Sequence, residues 1–425
     1  MHFKSPKSSD LVLIKHDVRT YDHILLFPPT SKAYGPQLSP QVLLNFINKE
    51  GNVLLALSAN SPIPTAITSL LLELDINLPP SRNAIVVDHF NYDKSSAETH
   101  DVLLIDRPNA LRSDVKNFFG GHGKVAIPRA VPQVLGNSLP LLAPILKAPS
   151  TAYVYDPKDE KEGVEDLYAA GSQLSLITAF QARNSARFVV LGSVEMLADE
   201  YFTAETANRE FAKQLTEWTF KETGVLKAWE VRHYLAGSTP AKANSTEASS
   251  VLNPTIYRIK EDVVSFSHTK ALRIQAALIQ EPQTFTISLS EWVHNHWQPF
   301  TPPSDDALQL EFSMLSPFHR IPLTLLTSSY NASWYTSTFT TPDQHGIFNF
   351  RVNYKRPFLT SVDEKREVTV RHFAHDEYKR SYAISGAWTW IAGIGVTVLG
   401  WVLFVAVWLY SEPTDSRKAS AKKVQ

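Results

Sequence analysis

The stretch WTWIAGIGVTVLGWVLFVAVWLY, Trp388 to Tyr410, decides the class of this protein. No charged residue occurs from Ser381 to Ser411, between Arg380 and Glu412. At ~1.5 Å rise per residue, a helix of that length crosses the ~30 Å hydrocarbon core of a bilayer with a little tilt. Trp388 and Trp390 at one end, and Trp408 and Tyr410 at the other, sit where an interfacial aromatic belt places them. The sequence therefore predicts a transmembrane helix over residues 386–410 rather than a long core helix. Its small residues Gly386, Thr389, Gly393, Thr397 and Gly400 fall on one helical face, the kind of face through which membrane helices approach a partner.

Working outward, the flanks do not orient this span by charge. Arg366, Arg371, Lys379 and Arg380 precede it and Arg417, Lys418, Lys422 and Lys423 follow it, so the positive-inside rule is silent. The chain ends Lys422-Lys423-Val424-Gln425, a KKxx tail of the kind that is read from the cytosol as an address for retrieval to the endoplasmic reticulum. Two glycosylation sequons precede the span, at Asn244-Ser245-Thr246 and Asn331-Ala332-Ser333, whereas Asn253-Pro254-Thr255 is excluded by its proline. Tail and sequons together predict a lumenal body and a short cytosolic tail over residues 411–425. Met1 to Asp10 (MHFKSPKSSD) carries no apolar run of a signal peptide, and the expectation is that the true N-terminus lies upstream.

The remaining chain is large enough for two or three cores, with 425 residues, 44% hydrophobic and 20% charged. A formal net charge of −1 gives no electrostatic signal for nucleic acid. The absence of cysteine excludes thiol catalysis, Cys-based metal sites and disulfides.

In the first half, strand-like and helix-like patterns alternate. Tyr21 to Phe27, Asn52 to Leu57, Asn83 to Asp88 and Arg187 to Gly192 read as buried strands; Ser39 to Lys49, Thr65 to Leu74 and Phe211 to Glu222 read as helices. That alternation predicts an α/β domain with a mostly parallel sheet over residues 1–235. Residues 236–256, rich in Ser, Thr and Ala, read as a linker. Strand patterns then dominate: Thr284 to Leu289, Gln309 to Ser313, Ser337 to Thr340, Gly346 to Tyr354 and Glu367 to Arg371 are separated by turn-rich pieces. Residues 257–375 are accordingly predicted to form an antiparallel β-sandwich-like domain.

Little in the chain carries recognisable chemistry. No G-x-S-x-G, H-E-x-x-H or Walker A motif occurs, and Gly120-Gly121-His122-Gly123-Lys124 has Val125 where a phosphate loop needs Ser or Thr. His294 and His296 could place two imidazoles on one strand face, without an evident third ligand. Val87-Asp88-His89-Phe90-Asn91-Tyr92-Asp93 is the most function-like stretch, because it follows a strand at the edge where α/β sheets hold ligands. Asp88 and His89 are a conceivable acid/base pair; the other reading is a polar turn whose side chains bond the backbone.

Six stretches resemble one family. YDHILLFPP (Tyr21 to Pro29), VDHFNYD (Val87 to Asp93), FQARNSARFVVLGS (Phe180 to Ser193), WTFKETGVLK (Trp218 to Lys227), LQLEFSMLSPFHR (Leu308 to Arg320) and GIFNFRVNYKR (Gly346 to Arg356) precede a single C-terminal span and KKxx. In this order they resemble the 48 kDa, WBP-type subunits of the eukaryotic oligosaccharyltransferase across nearly the whole chain. The family also has a signal peptide and a strand-helix unit ahead of the equivalent of Ser9 to Ile14, which this sequence lacks. The resemblance implies a single-pass endoplasmic reticulum protein in the complex that transfers a preassembled glycan from dolichyl diphosphate to Asn of N-x-S/T. It further implies no catalytic, cofactor-binding or metal residue on this chain, since in that family the catalytic site and its metal belong to an STT-type multispanning subunit. The implied partners are that subunit, the ribophorin II (Swp-type) and DAD-type subunits, and membrane lipid. Rival readings are an enzyme acting through Asp88 and His89, and a lumenal module that binds client proteins without a role in glycan transfer.

Overall fold

Apolar runs buried on both sides build the centre of the N-terminal sheet. A computed structural model describes residues 3–6, 8, 11–30, 33–157, 167–203, 205–235, 253–259, 262–263, 283–372 and 387–411. After a short hairpin of β1 (Ile14–Lys15) and β2 (Val18–Arg19), the chain enters β3 (His23–Leu26), α1 (Pro40–Asn48), β4 (Asn52–Ala56) and α2 (Thr65–Glu73). Next come β5 (Ile76–Asn77), β6 (Ile85–Val87), β7 (Val102–Asp106), β8 (Lys124–Pro128), β9 (Gln133–Leu135), β10 (Leu142–Lys147) and β11 (Tyr153–Tyr155). β12 (Leu174–Gln181), β13 (Arg187–Leu191) and α3 (Asn208–Thr219) complete this part.

The seven-stranded sheet runs β3-β4-β13-β12-β9-β5, with β10 also paired to β12. In β4, Leu54 and Ala56 join the core beneath α3, while Val53 and Leu55 join the core under α1 and α2. That two-sided burial is why the run is continuously apolar instead of alternating. The helices pack by the expected spacing: Leu43, Phe46 and Ile47 on α1, and Ile67, Leu70 and Leu71 on α2, are buried. Ser39 caps α1 by accepting from the Val42 N–H at 3.4 Å.

The expected parallel order occupies one half of this sheet only. β3, β4 and β13 are mutually parallel, whereas β12 runs antiparallel to β13, β9 and β10. The reason is the short turn from Ala182 to Ala186, closed by the Ala182 N–H donating to Ala186 O at 2.8 Å. A turn this short joins only antiparallel strands, since a parallel crossover needs about a dozen residues or more. The expected strand Asn83 to Asp88 exists as β6, but it pairs with β11 outside the large sheet.

The second part is a sandwich of antiparallel sheets, as its turn-rich strand pattern predicts. Its strands are β14 (Thr223–Leu235), β15 (Ile256–Arg258), β16 (Asp262–Val263), β17 (Gln283–Val293), β18 (His296–Pro299) and β19 (Gln309–Ser313). They continue with β20 (Pro317–Pro322), β21 (Thr324–Ser328), β22 (Ser333–Thr340), β23 (Gly346–Tyr354) and β24 (Val362–Arg371). One sheet has the order β14-β17-β22-β16, with β18 and β21 at its margins; the other is β15-β24-β23-β19-β20. Alternate residues Phe348, Phe350, Val352 and Tyr354 of β23 face Phe285, Ile287 and Leu289 of β17, with Phe312 and Phe348 stacked at 4.7 Å. The first of these sheets begins with β14, inside the segment that the sequence assigns to the α/β domain.

Residues 1–370 form one compact unit and residues 371–425 another. The second contains α4 (Ala387–Tyr410), of which Trp388–Tyr410 has mean hydropathy 2.2 and is long and apolar enough to cross a membrane. Thr389, Gly393, Thr397 and Gly400 lie on α4, and the Thr397 hydroxyl donates to Gly393 O at 2.8 Å. Gly386, the residues of the linker after 235, Asn244, Lys422 and Lys423 lie outside the described residues.

Candidate functional site

The stretch after β6 is built around a buried carboxylate. Asp88 is fully buried, and its oxygens accept from the Phe90 N–H at 2.9 Å, Asn91 Nδ2 at 3.0 Å and the Thr151 hydroxyl at 2.8 and 2.9 Å. Burial raises its pKa, but these donors outweigh it and hold the carboxyl below the usual aspartate range. His89 is exposed; its Nδ1 lies 2.6 Å from His100 Nδ1 and its Nε2 2.9 Å from the Tyr153 hydroxyl. Tyr92 packs on His100 with ring centroids 4.1 Å apart. Among the described residues no hydrogen bond joins Asp88 to His89. The aspartate shapes a turn and the histidine belongs to a surface group of aromatic rings, so the two neighbours in sequence do not form one acid/base device. Because β6 stands outside the seven-stranded sheet, this turn is not at the ligand-holding edge that the sequence suggests.

The true carboxyl edge of the parallel strands lies elsewhere, and sequence reading passed over it. Beyond β4 and β13, the Glu195 carboxylate accepts from Ser58 Oγ, from Ser193 Oγ at 3.0 Å and from Asn60 Nδ2 at 3.3 Å. Beside it a shallow recess with room for about one water, ≈ 10 Å³, is lined by residues that include Pro28, Tyr34, Leu57, Pro62 and Ile63, and burial pushes the Tyr34 hydroxyl up to about 12. The signal was the pair of small polar residues following two apolar strands, LALSAN and VVLGSVE. All three donors are spent on Glu195, which makes the cluster a clasp between strand ends.

His294 and His296 do not share a strand face. His294 and Asn295 have φ of 45° and 69° and form the turn between β17 and β18. His294 Nδ1 approaches Glu217 at 3.6 Å, and His296 Nε2 meets Gln298 Nε2 at 2.7 Å. The glycine-rich segment before β8 is a loop, with Gly123 at φ 93°.

The densest polar geometry is the joint between the two parts. Arg187, fully buried at the start of β13, donates to Trp218 O, to Thr223 O at 2.7 Å and to Gly224 O at 2.7 Å, and lies over the Trp218 ring at 4.8 Å. Trp218 Nε1 donates to Phe358 O at 2.7 Å, and Gln181 Nε2 to Leu359 O at 2.5 Å. Ser185 Oγ receives the Ser361 N–H at 3.2 Å, while within the first part the neighbouring Asn184 amide ties the same turn to α1 through Ile47 O and Asn48 O at 2.8 and 2.9 Å. Burial lowers Arg187 to about 9, with Glu291 opposing the shift.

The family model described as "OST48, N-terminal domain" matches residues 1–222, and that described as "OST48 middle domain" matches residues 265–412. This chain belongs to the OST48 family. The dolichyl-diphosphooligosaccharide–protein glycosyltransferase subunit wbp1 of Schizosaccharomyces pombe is 31% identical over 423 residues, 98% of this chain and 87% of the relative. The dolichyl-diphosphooligosaccharide–protein glycosyltransferase 48 kDa subunits of Drosophila melanogaster and Caenorhabditis elegans are also similar. The first is 30% identical over 100% of this chain and 88% of its own, the second 29% over 98% and 86%. Three of the stretches whose wording resembles this family are framework in this chain. FQARNSAR is the turn and joint, WTFKETGVLK is the helix end it clamps, and VDHFNYD is the turn around Asp88.

Proposed function

We propose that this chain is a subunit of an oligosaccharyltransferase complex, which transfers a preassembled glycan from dolichyl diphosphate to Asn of N-x-S/T in nascent proteins. The observation that carries this reading is likeness over 98% of the chain to a protein named as a subunit of that transferase. The chain serves assembly rather than catalysis, and the reacting groups belong to an STT-type subunit. Two features support that division: Asp88 is committed to the backbone and hydroxyls of its own turn, and the Glu195 carboxylate to three neighbouring side chains. The body lies in the lumen of the endoplasmic reticulum, α4 spans the membrane once, and Lys422 and Lys423 in the cytosolic tail secure retrieval. Ribophorin II (Swp-type) and DAD-type subunits are the neighbours. The α4 face bearing Thr389, Gly393, Thr397 and Gly400, with Gly386 on the same periodicity, packs on a helix of the complex.

Depletion of the chain in its own cell should leave sequons of secretory proteins under-glycosylated, with transfer restored by the intact chain and equally by His89→Ala. An assembled complex that loses transfer when only His89 is replaced would overturn the division of labour and support an enzyme.

A further inference from the structure

We propose that Asn331 carries an N-linked glycan whose first sugars pack on an indole platform of Trp229 and Trp297, an inference that rests on the lumenal placement proposed above. Asn331 is exposed in the turn between β21 and β22, which closes through the Ser329 N–H to Ala332 O at 2.8 Å and the Ala332 N–H to Ser329 Oγ at 3.2 Å. One hydroxyl links this turn to the platform. Ser290 Oγ on β17 receives the Trp229 Nε1–H at 3.0 Å and donates to Asn331 O at 2.5 Å. The attachment residue and the indole are thus separated by a single buried serine.

The platform is built rather than incidental. β14 and β17 change register between Ala228 and Val231, and this bulge aims Trp229 across the outer face of the sheet. Trp297 on β18 meets it edge-on at 5.5 Å and is braced in turn by Trp292 at 5.1 Å. With Lys227 and Trp297 against it, Trp229 still leaves 53% of its surface exposed, which is apolar area that a further group can cover. A pyranose offers the matching surface, with a flat array of C–H bonds for the indole and hydroxyls at its rim. The Lys227 ammonium, 3.8 Å from the Trp229 ring centroid and 5.8 Å from that of Trp297, covers one face of the indole, so the sugar takes the face opposite it. In forming the linkage, the Asn331 amide nitrogen bonds the anomeric carbon of a lipid-diphosphate-linked sugar and loses one proton. The bond from that carbon to the diphosphate oxygen breaks, and the lipid diphosphate leaves with the electron pair.

The test uses the full chain in its native complex. Peptide mass spectrometry should find glycan at Asn331, lost in Asn331→Gln. Enzymatic release of that glycan from the folded complex should be about tenfold faster in Trp229→Ala, the ratio that ~1.4 kcal/mol of stacking protects. If Trp229→Ala fails to assemble, Trp297→Ala removes the brace and should accelerate release in the same direction. Equal release rates in the assembled variant and the wild type overturn the platform. An unmodified Asn331 in a body shielded from protease within sealed microsomes overturns the site while sparing the lumenal reading. A body digested by protease added to sealed microsomes overturns both.

Discussion

Acidification should loosen the sandwich through one histidine. His233 on β14 is 4% exposed, stacks on Phe350 at 4.9 Å and places Nδ1 2.6 Å from the Tyr257 hydroxyl. Burial, helped by the positive charge of Arg366, lowers its pKa from 6.5 to about 4. The folded state therefore binds this proton more weakly than the unfolded chain. Its contribution is complete above pH 6.5, declines as pH falls from 6.5 towards 4, and loses nothing further once both states are protonated. At ~1.36 kcal/mol per unit, the full gap amounts to about 3 kcal/mol. Asp88 and Asp363, whose pKa values are lowered, lose their contribution only below the ordinary aspartate range, so the window belongs largely to histidine. His23, on the exposed side of β3, is also lowered, chiefly by desolvation, and shares it, which makes a difference measurement necessary. Urea midpoints read by tryptophan fluorescence at pH 7.5, 5.5 and 4.5 should fall steeply for the wild type and distinctly less for His233→Asn, whose amide occupies the position of the Nδ1 that meets Tyr257. Identical pH slopes in the two proteins would show that His233 does not set this window.

Further outcomes follow from the joint, the buried turn and the span. Arg187→Lys replaces a fork serving three carbonyls by a single ammonium and should destabilise the body by about 2–4 kcal/mol in the same urea assay. Gly224→Ala should cost about 1–3 kcal/mol, because φ is 68° and the new Cβ would fall 2.8 Å from Phe358 O. Asp88→Ala strands the Phe90 N–H and the Thr151 hydroxyl, and should cost about 1–3 kcal/mol while leaving the transfer rate per assembled complex unchanged. Gly393→Leu should lower the yield of complex on gel filtration in mild detergent, since it fills the small-residue face of α4; an unchanged yield removes that face from the interface.

The sequence was most legible where burial imposes a single pattern. β4, α1, α2 and the alternating β23 could be read because each has one periodicity and one consequence. The mixed half of the large sheet was harder. LSLITAFQ and RFVVL are both apolar, and only the short Ala182–Ala186 turn between them dictates antiparallel pairing. VDHFNYD looked chemical because polar side chains cluster there, yet its aspartate is held by backbone and hydroxyl donors that sequence spacing does not reveal. Thr151 reaches Asp88 from far along the chain, as Gln181 and Trp218 reach the 358–359 segment. Contacts at such separation carry no local signature, which is why the FQARNSAR joint was readable as a likeness but not as a mechanism.

The proposed division of labour makes this chain an assembly subunit whose activity is borrowed from a partner. Affinity purification of the chain in mild detergent, assayed for glycan transfer from a lipid-linked donor to an N-x-T peptide, tests it most directly. Transfer is expected in the fraction that contains a multispanning partner, and none from the isolated chain after the complex is dissociated. Transfer by the isolated chain, or a purified chain that arrives with no membrane partner and no activity, would contradict it.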